Sequence, residues 1–211
     1  MLGNILWFAF FVIIVVVLLL YSHIFIGHAG AAVVNGTRNN PVIVAVGDMG
    51  CTPKSQLVIR NMESAKPDLF LGLGDYVFDN KTSCLFNIVM PFWNKIKIAF
   101  GPHDVKSIAV LQEYMKYFDI KRQYYSYNFQ NIHFTVLSTE IPFKIGTPQY
   151  YFASDDLFAA SNDPNIEWIF IYYHKPAYTS STYNVGKAKP LRDTYHPVVR
   201  RLWGRSGFTS P

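Results

Sequence analysis

The chain has 211 residues, enough for one ordinary globular domain plus a tail or anchor and hardly enough for two. Half of them are apolar and 16% are charged, which excludes a disordered, solvating protein. The formal charge of +5 does not point to nucleic acid, because Arg200, Arg201 and Arg205 supply three of those units from one acid-free stretch and no nucleic-acid motif occurs.

The first element is apolar. "ILWFAFFVIIVVVLLLY" at 5–21 carries no charge, and "SHIFIG" extends the apolar character to Gly27. A membrane-spanning helix needs about 20 such residues, so 1–28 is expected to be an uncleaved anchor with the domain on the extracytoplasmic side. The alternative is a cleaved signal segment and a secreted domain. That reading asks for an apolar core of only about 7–15 residues behind a positive leader, and "MLGN" has no Lys or Arg. Residues 29–40, "AGAAVVNGTRNN", are small and polar and read as a linker. Asn35 and Asn80 each head an N-x-T triplet, a pattern common by chance.

The folded part starts abruptly at "PVIVAVGDMG", where 42–46 is a β-branched apolar run ended by glycine. Such a run predicts a buried strand, and a helix is expected next over 54–65. "DLFLGLGDY" repeats the design at 69–73, followed by Gly74 and Asp75, and "IKIAFGPHD" does so a third time, leading to His103 and Asp104. A second helix is expected over 107–118. "YYSYNFQNIHFTVLSTE" predicts two strands around a turn at Gln130 and Asn131, and "DDLFAAS" a further short helix. The last strand, 168–173, runs into His174. Strands alternating with helices, then a hairpin, imply a mixed α/β sheet protein.

Asp48, Asp75, His103 with Asp104, and His174 therefore all follow strands. Carboxylate and imidazole are ligands for hard or borderline divalent metals, and two such ions about 3.5–4 Å apart can drive in-line attack on a phosphoryl group. Each strand end taken singly has a plainer reading, since Gly-Asp commonly makes a turn and a lone His is more often structural. His133 and His196 are read that way, and His23 and His28 as membrane-flanking. Four such ends in ordered succession are harder to dismiss.

"GDMG", "GDYVFD", "GPHD" and "IYYHKPAY" resemble, in order, the blocks of the calcineurin-like metallophosphoesterases, in particular the purple-acid-phosphatase-like branch. Each block alone is weak, but the ordered set is specific, and it spans 42 to about 196. The resemblance implies a domain over 41–211 built as a sandwich of two mixed β-sheets flanked by helices. It also implies hydrolysis of small phosphate esters at a dinuclear centre of iron, zinc or manganese. It places Asp48 on the first metal, Asp75 across both and His174 on the second. His103, with Asp104 behind it, would stabilise the transition state or protonate the leaving alkoxide.

Three departures accompany the likeness. Pro102 stands where the family has an Asn ligand, and Phe78 where it has a Tyr ligand. Tyr76 lies close by, but its position generally points to the other side. No histidine follows His196, so the family's GHxH block is missing and the domain is read as incomplete at its C-terminus. A catalytic ion normally keeps three protein ligands, so the site is expected to be short of ligands. Two readings stay open: a membrane-tethered phosphoesterase, or a catalytically inactive remnant or binding protein of the same fold. The tail from 197 has no evident amphipathic period and is read as the product of a shifted reading frame. Cys51 and Cys84 follow the first two metal loops, so in an exported chain they are expected to pair.

Overall fold

The structure, a computed structural model, describes residues 41–79, 81–180, 182 and 185–203. The chain divides into Met1–Asn40 and Pro41–Pro211; the expected anchor and linker, Asn80 and the residues after 203 lie outside the described residues. Among the described residues no helix is long and apolar enough to cross a membrane.

The β-branched and leucine-rich runs form two three-stranded sheets. In the first, β1 (Ile43–Val46), β2 (Leu69–Gly72) and β3 (Ile96–Ile98) lie side by side and wholly parallel. Parallel neighbours cannot be joined by a tight turn, and helices supply the crossovers. α1 (Pro53–Ser64) follows β1, and α2 (Thr82–Val89) with the 3₁₀ turn Met90–Phe92 follows β2. This corrects the expectation of two mixed sheets, because each connection inside the first sheet carries a helix. The second sheet is mixed. β4 (Tyr125–Phe129) pairs antiparallel with β5 (Ile132–Val136), which pairs parallel with β6 (Trp168–Tyr172). The β4–β5 turn falls at Gln130, whose φ of 55° is the left-handed conformation a tight hairpin requires. α3 (Ile108–Tyr117), α4 (Pro148–Ser161) and α5 (Val185–Trp203) complete the fold.

The period of two along the strands divides the core. Phe70, Ile96 and Ile98 face the helices and pack with Ile59, Leu85, Val89, Val110 and Tyr114. Leu69 and Leu71 face the other way, against Ile132, Phe134 and Val136 of the second sheet. Each such side chain contributes about 1.5–3 kcal/mol on burial. The two sheets are thereby held face to face.

The helices differ most from the sequence-based expectation. α2 was not anticipated, and α4 starts earlier than "DDLFAAS", at Pro148 with Thr147 accepting a hydrogen bond from the Tyr150 N–H. α5 runs through Pro190 and Pro197 to Trp203. Ala188, Leu191, Thr194, Tyr195 and Val198 lie buried at helical spacing along it. The stretch from 197 to 203 is thus the end of an amphipathic helix, which corrects its description as aperiodic.

A disulfide joins Cys51, just before α1, to Cys84 in α2, with Cα atoms 6.2 Å apart. It closes a loop of 33 residues, for which the chain-entropy estimate is about 3–4 kcal/mol. The double substitution Cys51→Ser with Cys84→Ser is expected to lower the urea unfolding free energy by about 3 kcal/mol. An unchanged midpoint would show that the bridge contributes no stability.

Between β5 and α4, His133 is held on both nitrogens, by Asn128 at 2.6 Å and by Asp156 at 3.0 Å. Ser126 and Thr135 also donate to Asp156. Burial alone would raise the Asp156 pKa, but the hydrogen bonds from His133, Ser126 and Thr135 outweigh it and hold the carboxyl below its ordinary 3.8. A group with a depressed folded pKa stabilises above its unfolded pKa and loses that contribution as pH falls through the folded one. The stability advantage of the native chain over Asp156→Asn is therefore expected to be full at pH 7 and to shrink below pH 3.8. Chemical unfolding at pH 7 and pH 3 checks this; an advantage that grows on acidification would contradict it.

Candidate metal centre

The parallel register sets Val46, Gly72 and Ile98 abreast, so the loops leaving β1, β2 and β3 share one edge of the sheet. Main-chain bonds tie the first two loops together: Leu73 N–H donates to Val46 at 2.8 Å, and Asp48 N–H donates to Gly74 at 3.0 Å. Asp48 and Asp75 both adopt left-handed backbone, with φ of 52° and 55°. Asp tolerates that conformation better than most residues, and such strain concentrates at functional sites.

β6 brings the third group. The His174 ring lies against the second loop, its Nδ1 2.9 Å from the Leu73 carbonyl oxygen. A carbonyl can only accept, so Nδ1 carries a proton, and in the neutral ring the lone pair that a metal would take is on Nε2. That Nε2 stands 3.4 Å from Asp75 Oδ2. Donor atoms of Asp48, Asp75 and His174 all lie within 4.8 Å of one another. An imidazole nitrogen and a carboxylate oxygen this close need a positive charge between them, which a bound cation would supply. The locked Nδ1–H···O=C bond is also the arrangement that fixes a metal-binding imidazole. Two carboxylates and one imidazole therefore fit a hard or borderline divalent ion.

Two glycines make the approach possible. A Cβ on Gly74, whose φ is +93°, would sit 2.9 Å from His174 Nδ1 and 2.6 Å from the Gly101 nitrogen. A Cβ on Gly101 would lie 2.3 Å from Asp75 Oδ1. Any side chain at either position would push the loops apart.

Asp75 is 5% exposed. Its Oδ1 accepts a hydrogen bond from the His103 main-chain N–H at 2.9 Å, which leaves Oδ2 directed at the site. The His103 ring is 40% exposed, its Nε2 4.0 Å from the same Oδ2. Phe78 meets this ring edge-on at 4.8 Å. Pro102 is exposed in the same loop.

Asp104 belongs to the support of the site rather than to its surface. Its carboxylate is fully buried and accepts three main-chain hydrogen bonds, from Asp75 at 2.7 Å, Gly101 at 2.8 Å and Tyr76 at 3.0 Å. Burial pushes the carboxyl up to about 6, against the downward pull of the Gly101, Tyr76 and Asp75 amides. Tyr76 is wholly buried in the core beneath the loop. Its hydroxyl donates to the Ala99 carbonyl at 2.7 Å and accepts from the Gly74 N–H at 3.1 Å. A further brace, which no local signal in the sequence announces, is the ion pair of Lys175 with Glu140 at 2.8 Å. It ties the loop carrying His174 to the end of β5. His196 lies elsewhere, exposed, with Nδ1 2.7 Å from the Tyr178 hydroxyl.

Comparison with known proteins bears on the family and the fold. Purple acid phosphatase 22 of Arabidopsis thaliana is 21% identical over 173 residues, covering 73% of this chain and 40% of that protein. The structure of purple acid phosphatase PPD1 from yellow lupin (Lupinus luteus) seeds superposes with a TM-score of 0.61 at 18% identity, over 79% of this chain and 36% of that one. The chain thus spans well under half the length of either. The family model of the calcineurin-like phosphoesterases matches residues 41–200, the folded part that bears every strand-end ligand described above. By that match the chain belongs to the calcineurin-like phosphoesterase family.

Proposed function

We propose that the chain hydrolyses phosphate esters, with a divalent cation held by Asp48, Asp75 and His174. The observation that carries this reading is the convergence of three donor groups within 4.8 Å, with His174 Nε2 opposite Asp75 Oδ2. Zinc, manganese or iron, when bound, would polarise a phosphoryl oxygen and lower the pKa of a bound water. The family resemblance implies a pair of ions bridged by Asp75, whereas the described residues provide ligands for one. Asp75 Oδ1 keeps the His103 loop in place, and His174 is fixed in one tautomer by Leu73. His103 is exposed enough to meet a substrate, and its imidazole supplies a proton to the leaving oxygen. Phe78 limits the rotation of that imidazole.

His103→Ala is expected to lower kcat for 4-nitrophenyl phosphate about 100-fold, the lower range for loss of a general acid. Metal content should be largely kept, because the His103 main-chain N–H that holds Asp75 survives the change and the ring is not placed as a ligand. An unaltered kcat would remove His103 from the reaction.

One observation favours a second reading, a phosphate-binding protein of the same fold without turnover. Pro102 brings no donor to a loop that borders the site. Turnover of 4-nitrophenyl phosphate by metal-loaded chain, abolished by Asp75→Asn, decides for the enzyme. Phosphate binding without turnover decides for the second reading.

We also infer that the domain is tethered on the extracytoplasmic face by the apolar stretch 5–27. The Cys51–Cys84 bridge supports this, since such bonds persist in oxidising compartments. Release of the full chain from membranes by alkaline carbonate would argue against a spanning anchor.

A further inference from the structure

Of the three groups that converge at the metal centre, Asp48 and Asp75 stand on loops of the first sheet, and His174 alone comes from the second. The position of its ring therefore depends on what holds the loop after β6. The paired register of β5 and β6 ends at Val136 and Tyr172. One more main-chain bond follows, from the Leu137 N–H to the Tyr172 carbonyl at 3.1 Å.

Beyond that point side chains take over. The Lys175 N–H donates to Thr139 Oγ1 at 3.4 Å, the Thr139 hydroxyl donates to Glu140 Oε1 at 2.7 Å, and the Lys175 ammonium donates to Glu140 Oε2 at 2.8 Å. The bonds close a ring that engages both carboxylate oxygens of Glu140 and both the main chain and the side chain of Lys175. The Glu140 side chain is 8% exposed and that of Lys175 26%, so the pair is shielded from the water that weakens surface ion pairs. The ring grips the chain at the residue after His174. Across the gap between the sheets, His174 Nδ1 must meet the Leu73 carbonyl, which it does at 2.9 Å. Hydrogen bonds weaken steeply with misalignment, so a looser loop would let the imidazole leave Leu73 and take up its proton on Nε2 instead.

We propose that Glu140 is a positioning residue for His174. Through Lys175 and Thr139 it holds the loop after β6 so that Nδ1 stays on Leu73 and Nε2 stays turned to Asp75. Its effect on cation binding rests on the metal-centre reading given above, whereas its effect on the imidazole needs no metal.

The test uses the full chain with nitrogen-15-labelled histidine, the His174 signals being those lost in His174→Gln. In the metal-free native chain at pH 9 the neutral His174 ring is expected to carry its proton on Nδ1. In Glu140→Gln the form protonated on Nε2 should appear, and Mn²⁺ affinity should fall about 10-fold, the low end for loss of a group behind a metal ligand. Lys175→Met breaks the same ring from its more exposed side and should give both effects. Lys175→Arg keeps the ion pair and should keep both readouts near native. A native proton position in both Glu140→Gln and Lys175→Met would overturn the proposal, whether or not metal binds. So would a lower melting temperature with the proton position and Mn²⁺ affinity unchanged, which would make the ring a brace of the fold alone. A native chain that binds no Mn²⁺ would overturn the metal-centre reading instead, and the proton position would still decide the role of Glu140.

Discussion

Replacing Asp75 by Asn is expected to remove cation binding while leaving the domain folded. Asn keeps a carbonyl oxygen where Oδ1 accepts the His103 N–H, so the loop retains its anchor. The charge and the ligand oxygen facing His174 Nε2 are lost together. Loss of a partner behind a metal ligand typically costs 10–100-fold in affinity. Loss of the central ligand should exceed that, on the order of 100-fold or more. Stability should move the opposite way without metal. Asp48 and Asp75 bring their carboxylates within 4.8 Å of each other, and like charges that close repel unless a cation separates them. The metal-free variant should therefore melt no lower than the native chain, and only the native chain should gain on adding Mn²⁺ or Zn²⁺. Thermal scans with and without metal check both halves. A native chain that gains nothing, or a variant that gains equally, would contradict the assignment of Asp75.

Removing Asp104 should have the largest effect on stability. Three main-chain N–H groups converge on its buried carboxylate, and Asp104→Ala would leave all three without an acceptor. A buried unsatisfied donor costs about 1–3 kcal/mol, so a loss of roughly 3–5 kcal/mol is expected after some relaxation. That is a large share of the few kcal/mol by which domains are normally stable. The amides that lose their acceptor include that of Asp75 itself, and Gly101 sits against Asp75 Oδ1. Metal affinity should therefore fall with stability, although Asp104 is not placed as a ligand. Chemical unfolding measures the first effect and titration of the folded variant with Mn²⁺ the second. A loss below about 1 kcal/mol would mean that the amides find other acceptors.

These residues also mark how far the sequence can be read. Three of the four strand ends were legible because each joins a β-branched or leucine-rich run to glycine and an ionisable group, and the fourth because an apolar run leads into His174; strand periodicity is local. The hairpin turn was legible for the same reason. The disulfide followed from placing two loops side by side. The cage around Asp104 was not legible, because its partners Asp75 and Tyr76 lie 29 and 28 positions away and their main-chain amides carry no residue-specific signal. α2 escaped notice because "TSCLFNIV" is short and apolar, and such a run fits a strand as well as a helix. α5 was masked by Pro190 and Pro197, which ordinarily break helices. The spacing of Leu191, Tyr195 and Val198 shows that packing of one apolar face outweighs the bonds those prolines remove. The parallel first sheet was written into the helical crossovers, but the family likeness pointed to a mixed one.

The most direct test of the metal centre is anomalous diffraction from crystals of the chain grown with Zn²⁺, recorded on both sides of the zinc edge. A peak bounded by Asp48, Asp75 Oδ2 and His174 Nε2, at about 2.0–2.2 Å from each ligand atom, is the expected result. Zinc bound only elsewhere, or His174 Nε2 directed away from the ion, would contradict the assignment on which the proposed phosphoesterase chemistry rests.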